Sequence, residues 1–426
     1  MVFERHVTPV VAARLVVRGG TPAFPGEPPE VVELMADMVL HGTNTRTERE
    51  IYDTMARRFF ELGASVGDAW LEFRLRAFSS SFFAALDLMH DVALDPLLSA
   101  DTLEIIRQRR KASADQHADD VDRIALANLD AAVFGDSNPY TRFEQNDPKV
   151  LDKITRDDIV RAWRESMDPT EAVLVVAGDV DAAAVRERVE TLFDGWKRDP
   201  SLPARVTPPT PTPATARLIV VDRPGVSLAT VVYGAGIPPI DSPRNPLQRV
   251  VQALMGGMRS SAVAQRLRQQ VDPALLGTAR FRSRPGGGVI WWRNQVPGRQ
   301  AAPLLKALQD QVHGLHDPGP SAEELAAVQA LISRALPRDL ETVSDLSERL
   351  AEIAAFRLPV DQILRYQAVV DAASPESVRA AVPDPSTWKA IVVGDLASLR
   401  GPLLALGWGP LEERDANGKV LRTIGP

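Results

Sequence analysis

The chain has 426 residues, 45% of them apolar and 25% charged, with a formal net charge of −7. That balance belongs to a globular protein of more than one domain and excludes a largely disordered chain. No run of five or more like charges offers a basic track for nucleic-acid phosphates. No stretch approaches the roughly 18 apolar residues of a membrane span, and the absence of cysteine removes disulfides, thiol catalysis and cysteine-based metal sites together.

In chain order, the N-terminus "MVFERHVTPVVAARLVVRGG" alternates as a strand does, where a secretory signal would carry a continuous apolar core. A strand so close to the start suggests a trimmed precursor, so a bacterial periplasmic or cell-envelope location is expected, with the cytoplasm as the alternative. "VVELMADMVLHGT" (31–43) reads as a helix closed by a Gly-Thr break, and a second helix follows it. "SVGDAWLEFRLRAFS" (65–79) alternates as strands, and long amphipathic helices come next. Thr155 with Asp158 at the third position marks a capped helix start. "AVLVVAGDVDAAAVRERVETLFDGW" (172–196) is a buried strand, a Gly-Asp turn and a closing helix.

Between Pro203 and Pro213 fall five prolines, which favour extended polyproline geometry and act as a semi-rigid linker. The same order then repeats. A strand pair at 215–236 precedes the helix "LQRVVQALMGGMRSS" (247–261), which precedes alternating strands at 274–296 and further helices. Ser374-Pro375-Glu376 opens a capped helix, and "KAIVVGDLASLRGPLLALGW" (389–408) closes the second half as 172–196 closes the first. Strands, then helices, then a strand, twice over, predict an α+β fold of two homologous domains, each a mixed β-sheet with helices packed on one face. The limits expected are 1–197 and 216–426, with a proline-rich linker at 198–215. "RPGGGVIWW" (284–292) should form a hairpin turn, with Trp291 and Trp292 on opposite faces of one strand.

Only six histidines occur, and no two stand at i, i+4, where one helix face would bring both to a metal. His313 and His316 are i, i+3 near a helix end and read as a surface pair. No Ser-His-Asp grouping can be defended from spacing, so a hydrolase built on other residues is disfavoured.

Several motifs stand in the order found in the pitrilysin/insulinase family of zinc metallopeptidases, which the chain resembles over nearly its whole length. They are Gly42-Thr43 after the first helix, Leu62-Gly63-Ala64, the helix "FFAALDLMHDVALDP" (82–96), "NPYTR" (138–142), "VDRPGVSLATVVYGAGI" (221–237) and "LMGGMRSS" (254–261). The resemblance implies a helix bearing HxxEH, whose histidines hold zinc and whose glutamate is the general base for the metal-bound water. Counted back from Gly42-Thr43, that motif falls on residues 33–37, which read Glu33-Leu34-Met35-Ala36-Asp37. Both ligand histidines are carboxylates, and the base is Ala36, which carries no proton acceptor. The third ligand position falls on Asp115, or on Ala114 in a frame shifted by one. Carboxylates in place of imidazoles favour harder cations such as Mg²⁺ or Ca²⁺, yet three short ones make a poor cage. The expectation is no metal in this chain, with Glu33 and Asp37 either solvated or paired with Arg109, Arg110 or Lys111.

The resemblance also implies an arginine and a tyrosine from the second half over the scissile carbonyl. Arg268 stands at the first place and Leu275 at the second, so half of that pair is missing. Gly256 and Gly257 match a glycine-containing segment that guides substrate in some two-subunit members, and a helix C-cap is the plainer reading. Two functions follow from the resemblance. One is the non-catalytic subunit of a heterodimeric zinc peptidase, which holds peptide by strand addition to an edge such as Gly63 to Trp70 while an HxxEH-bearing partner supplies Zn²⁺. The other is a scaffold or peptide-binding protein without a peptidase partner.

Overall fold

The computed structural model describes residues 1–24, 26–114, 119–136, 138–142, 146–202, 212–257, 262–271 and 277–425. Its two compact units are not the two halves of the sequence. The first comprises Met1–Asp115, Glu144–Thr207 and Leu336–Val360, and the second Gln116–Phe143, Pro208–Ala335 and Asp361–Pro426. Each unit thus takes one segment from the far side of the proline-rich stretch that divides the sequence. Most of that stretch, 203–211, lies outside the described residues.

In the first unit five strands make one sheet: β1 (Val2–Glu4), β2 (Val10–Arg18), β3 (Phe60–Val66), β4 (Trp70–Phe78) and β5 (Ala172–Gly178), in the order β1-β5-β2-β4-β3. β1 runs parallel to β5, and the other pairs are antiparallel. Because side chains alternate, Leu15, Phe73, Leu75 and Val176 point to one face and join a core with α1 (Pro29–Met38), α3 (Phe82–Leu94) and the helix Arg156–Ser166. α2 (Glu48–Arg58) starts from a full capping box, in which Thr47 and Glu50 satisfy each other's backbone N–H groups.

The second face carries the exchanged helix, Val343–Ala355, whose Ala351 and Ala355 pack on Val16 and Val175. Burying each such valine is worth about 1.5–3 kcal/mol. Polar bonds fix where the helix lies. Arg14 on β2 donates to Ser347 Oγ at 3.1 Å, to Glu348 Oε2 at 3.1 Å and to Glu72 Oε1 on β4 at 2.6 Å.

The second unit repeats this plan with seven strands: β6 (Leu218–Asp222), β7 (Leu228–Ile237), β8 (Thr278–Arg282), β9 (Gly288–Pro297), β10 (Lys389–Gly394), β11 (Leu411–Arg414) and β12 (Val420–Ile424). Their order is β12-β11-β6-β10-β7-β9-β8. Every residue of β10 is buried, as a strand covered on both faces requires. One face packs Trp292, Trp388 and Tyr233. On the other, Trp291, Ile219, Val232 and Ile391 meet Ile124, Leu129 and Val133 of the exchanged helix Val121–Phe134. The tryptophans do face opposite ways, and the hairpin turn is present, with Gly286 and Gly287 at φ 81° and 147°.

A buried charge anchors this exchanged helix too. Asp130, 1% exposed, accepts from Arg284 Nη2 at 3.1 Å and from Arg282. The Arg284 guanidinium lies 4.7 Å over the Tyr140 ring, and the Tyr140 hydroxyl donates to the Pro285 carbonyl at 2.8 Å. The "NPYTR" segment is therefore the clasp between helix and hairpin. The α+β class with mixed sheets is as expected, and one helix from the other half of the sequence adds cover on each sheet's second face.

At the edge of the first sheet, His6 Nδ1 and Ser79 Oγ each bond Asp179, both at 2.8 Å. The bond to Asp179 raises the His6 pKa above its ordinary 6.5, with the charges of Asp179, Glu4 and Asp181 adding to it and desolvation opposing. The bonds from His6 and Ser79 lower Asp179 below 3.8. The histidine's contribution is complete below pH 6.5 and fades as pH rises through its raised value; the aspartate's is complete above 3.8 and fades as pH falls through its lowered one. Protection of β1 amides from hydrogen exchange, taken relative to an unfolded chain at the same pH, should therefore be greatest between those two values and fall at alkaline pH, and His6→Gln should remove that alkaline fall.

Candidate functional site

α1 opens with Pro29 at its first position and Glu30 in its first turn, both favourable at a helix start. Gly42 at φ 114° lets the chain turn away, and the Thr43 hydroxyl accepts from the Arg46 amide at 2.9 Å to hold the break. Glu33 and Asp37, one turn apart, share a face. Ala36 is 3% exposed and joins Leu34 and Met35 in the core.

Beside α1 runs α4 (Ala100–Ala112), capped by Ser99, which accepts from the Thr102 amide. Its Arg110 reaches the shared face. Nε and Nη2 donate to Asp37 Oδ2 at 2.9 and 2.7 Å, Nη2 stands 3.7 Å from Glu33 Oε2, and Nη1 donates to Asn146 Oδ1 at 3.3 Å. The Arg110 side chain is 12% exposed, against 23% for Glu33 and 45% for Asp37. Of the three cations named from sequence, this is the one that pairs with both acids. Lys111 turns instead to Asp152.

The chemical meaning is direct. A guanidinium satisfies the two acids at the place where the resemblance would put a divalent ion. It stays protonated, has no acceptor and cannot activate water. Zinc does not fit this donor set, because both carboxylates already pair with Arg110 and, among the described residues, no nitrogen or sulfur ligand joins them. Among the described residues no three His, Asp or Glu side chains converge as a metal would need. Asp115 lies outside the described residues, as does Leu275.

In the second unit, Gly256 is buried at φ 116° inside a π turn, Ala253–Gly257, that continues the helix Leu247–Gln252. A left-handed position of that kind needs glycine. Arg268 is half-buried on the helix Ala262–Gln270. The neighbouring cleft, about 960 Å³, is lined by Arg266 rather than by Arg268, and Arg266 bonds Gln311 at 3.2 Å and Glu324 at 3.1 Å.

Near α1, β3 forms one end of its sheet and, among the described residues, pairs only with β4. The strand edge expected at Gly63 to Trp70 is in fact Phe60–Val66. Trp70 begins β4, which is bonded on both sides by β3 and β2.

Comparison with known proteins bears on the fold. The family model described as the Peptidase M16 inactive domain matches residues 153–332. A Streptomyces coelicolor protein described as an uncharacterized zinc protease is 23% identical over 421 residues, covering 97% of this chain and 87% of that protein. A crystal structure of a peptidase M16 inactive domain from Pseudomonas fluorescens superposes with a TM-score of 0.83 at 17% identity, over 92% of this chain and 94% of that one. The periplasmic protease PqqL of Escherichia coli superposes with a TM-score of 0.75 at 14% identity, over 92% of this chain but 44% of its own. The resemblance read from the motifs is thus borne out. The chain is M16-like: it has the M16 peptidase fold, and the inactive-domain family matches its middle.

Dialysed protein is expected to retain no stoichiometric zinc by elemental analysis. Arg110→Met should lower the unfolding free energy by about 1 kcal/mol, a partly exposed pair being worth no more. Adding Asp37→Ala should cost less than the sum of the single changes, measured by urea denaturation.

Proposed function

We propose that this chain is the non-catalytic subunit of a two-chain M16-type zinc metallopeptidase, contributing half of a peptide-holding chamber to a partner that bears HxxEH and its zinc. The observation that carries this reading is the α1 face, with Ala36 at the base position and Arg110 on the two residues at the ligand positions. Such a face cannot perform hydrolysis, yet Arg110 keeps its charges satisfied and the helix in place. The M16 peptidase fold is kept over 92% of the chain, which supports an assembly role. The 44% share of PqqL that the chain matches supports a second, similar half beside it in the working enzyme. PqqL's periplasmic description supports a cell-envelope location for this chain, and no described helix is long and apolar enough to cross a membrane.

Peptide would be held as an added strand along the β3 edge, where backbone groups supply affinity without demanding a particular sequence. Within the second unit, Arg268, Gly256 and Gly257 are the substrate contacts that the resemblance implies. This chain needs no cofactor for that role.

The decisive experiment mixes the purified chain with HxxEH-bearing subunits from the same genome and follows cleavage of a quenched fluorescent peptide. Activity should appear only in the mixture and vanish with a zinc chelator. Hydrolysis by this chain alone would overturn the proposal. Lack of binding to every such subunit would instead favour a scaffold or peptide-binding protein.

A further inference from the structure

The second face of the first sheet is only partly covered. The helix Val343–Ala355 packs over β2 and β5. Beyond it, Arg74 and Arg76 of β4 and Glu61 of β3 are exposed. In the β3–β4 register, Glu61 lies opposite Arg76, Gly63 opposite Arg74 and Ser65 opposite Glu72. Directly opposed residues share a face. Two of these positions are balanced: Arg76 faces the acid of Glu61, and Glu72 is held by Arg14 at 2.6 Å. Arg74 is the most loosely held of these charges. It stands 3.9 Å from a carboxylate already engaged, with 52% of its side chain exposed.

What lies across from Arg74 matters as much as its charge. Gly63 has no side chain, and a Cβ built there meets nothing within 4 Å, so the way from Arg74 across β3 to the free edge is open. A strand added to β3 would lie about 10 Å from β4, two strand spacings away. An arginine and a glutamate side chain together span that gap. At the next pair along, Glu61 already offers a negative charge at the edge itself.

We propose that Arg74, acting through the gap over Gly63, makes the β3 edge selective for extended peptides that carry an acidic side chain opposite Gly63, with a neutral or basic one two residues away beside Glu61. This deepens the proposed peptide-holding role and rests on β3 being the peptide edge.

The test uses the full-length protein and three short, soluble, labelled peptides of alternating Val and Thr, identical except for one central Glu, Gln or Lys. Binding is followed by fluorescence anisotropy. The Glu peptide should bind about fivefold more tightly than the Lys peptide at low salt, the size of one exposed charge pair. The difference should disappear in 1 M salt, where the screening length is about 3 Å. Arg74→Gln should remove the preference and Arg74→Glu reverse it. Gly63→Leu, which has room in the fold, should close the gap and abolish the preference. N-methylation of alternate peptide amides should abolish binding of all three. Equal binding of the Glu and Lys peptides, or a preference that persists in Arg74→Gln, would overturn the selectivity while leaving strand addition standing. Failure of all three to bind would overturn the strand-addition reading and this one with it.

Discussion

The structure depends on one constraint: each sheet is apolar at its centre on both faces. A sheet with one solvated face could rest on a single layer of helices. Here Val16 and Val175 in the first unit, and Ile219, Val232 and Ile391 in the second, point away from the main core and require cover. That cover comes from a helix of the other sequence half in each case. Charges set the register of each such helix, Arg14 in one unit and Asp130 with Arg284 in the other. Buried charge contributes little to net stability but penalises misplacement, so it decides where an apolar helix lies on an apolar sheet.

The α1 face follows the same logic on a smaller scale. Two carboxylates one turn apart repel and need a cation. A divalent ion is one solution, and the guanidinium of Arg110 is another. Arg110 has the further effect of tying α1 to α4 through a protein side chain. The group that ties the two helices together, Arg110, is thus also the group that engages both residues at the ligand positions of the HxxEH frame.

The free edge of β3 is the counterpart of this closure. Among the described residues the sheet ends at β3, which carries Glu61 and Gly63 rather than a continuous apolar row. Charge near an edge discourages pairing with stray chains. Charges that flank an edge also bias which chains can pair with it.

The sequence by itself determined most of the elements and which residues stand in the HxxEH frame. Alternation located the strands, Gly42 ended α1, Thr155 and Ser374 opened helices, and the frame from Gly42-Thr43 put Ala36 where a base would stand. These are local properties, set by backbone geometry and side-chain chemistry within a few residues. Tertiary structure alone decided which helix covers which sheet, because the amphipathic patterns of 121–134 and 343–355 are equally compatible with either. It also selected Arg110 from a run of three adjacent cations, because only the crossing of α4 over α1 determines which of them faces Glu33 and Asp37. The buried Arg284 was hidden for the same reason. Within "RPGGG" it reads as a turn residue, and it becomes a core charge only when Asp130, far away in sequence, is brought beneath it.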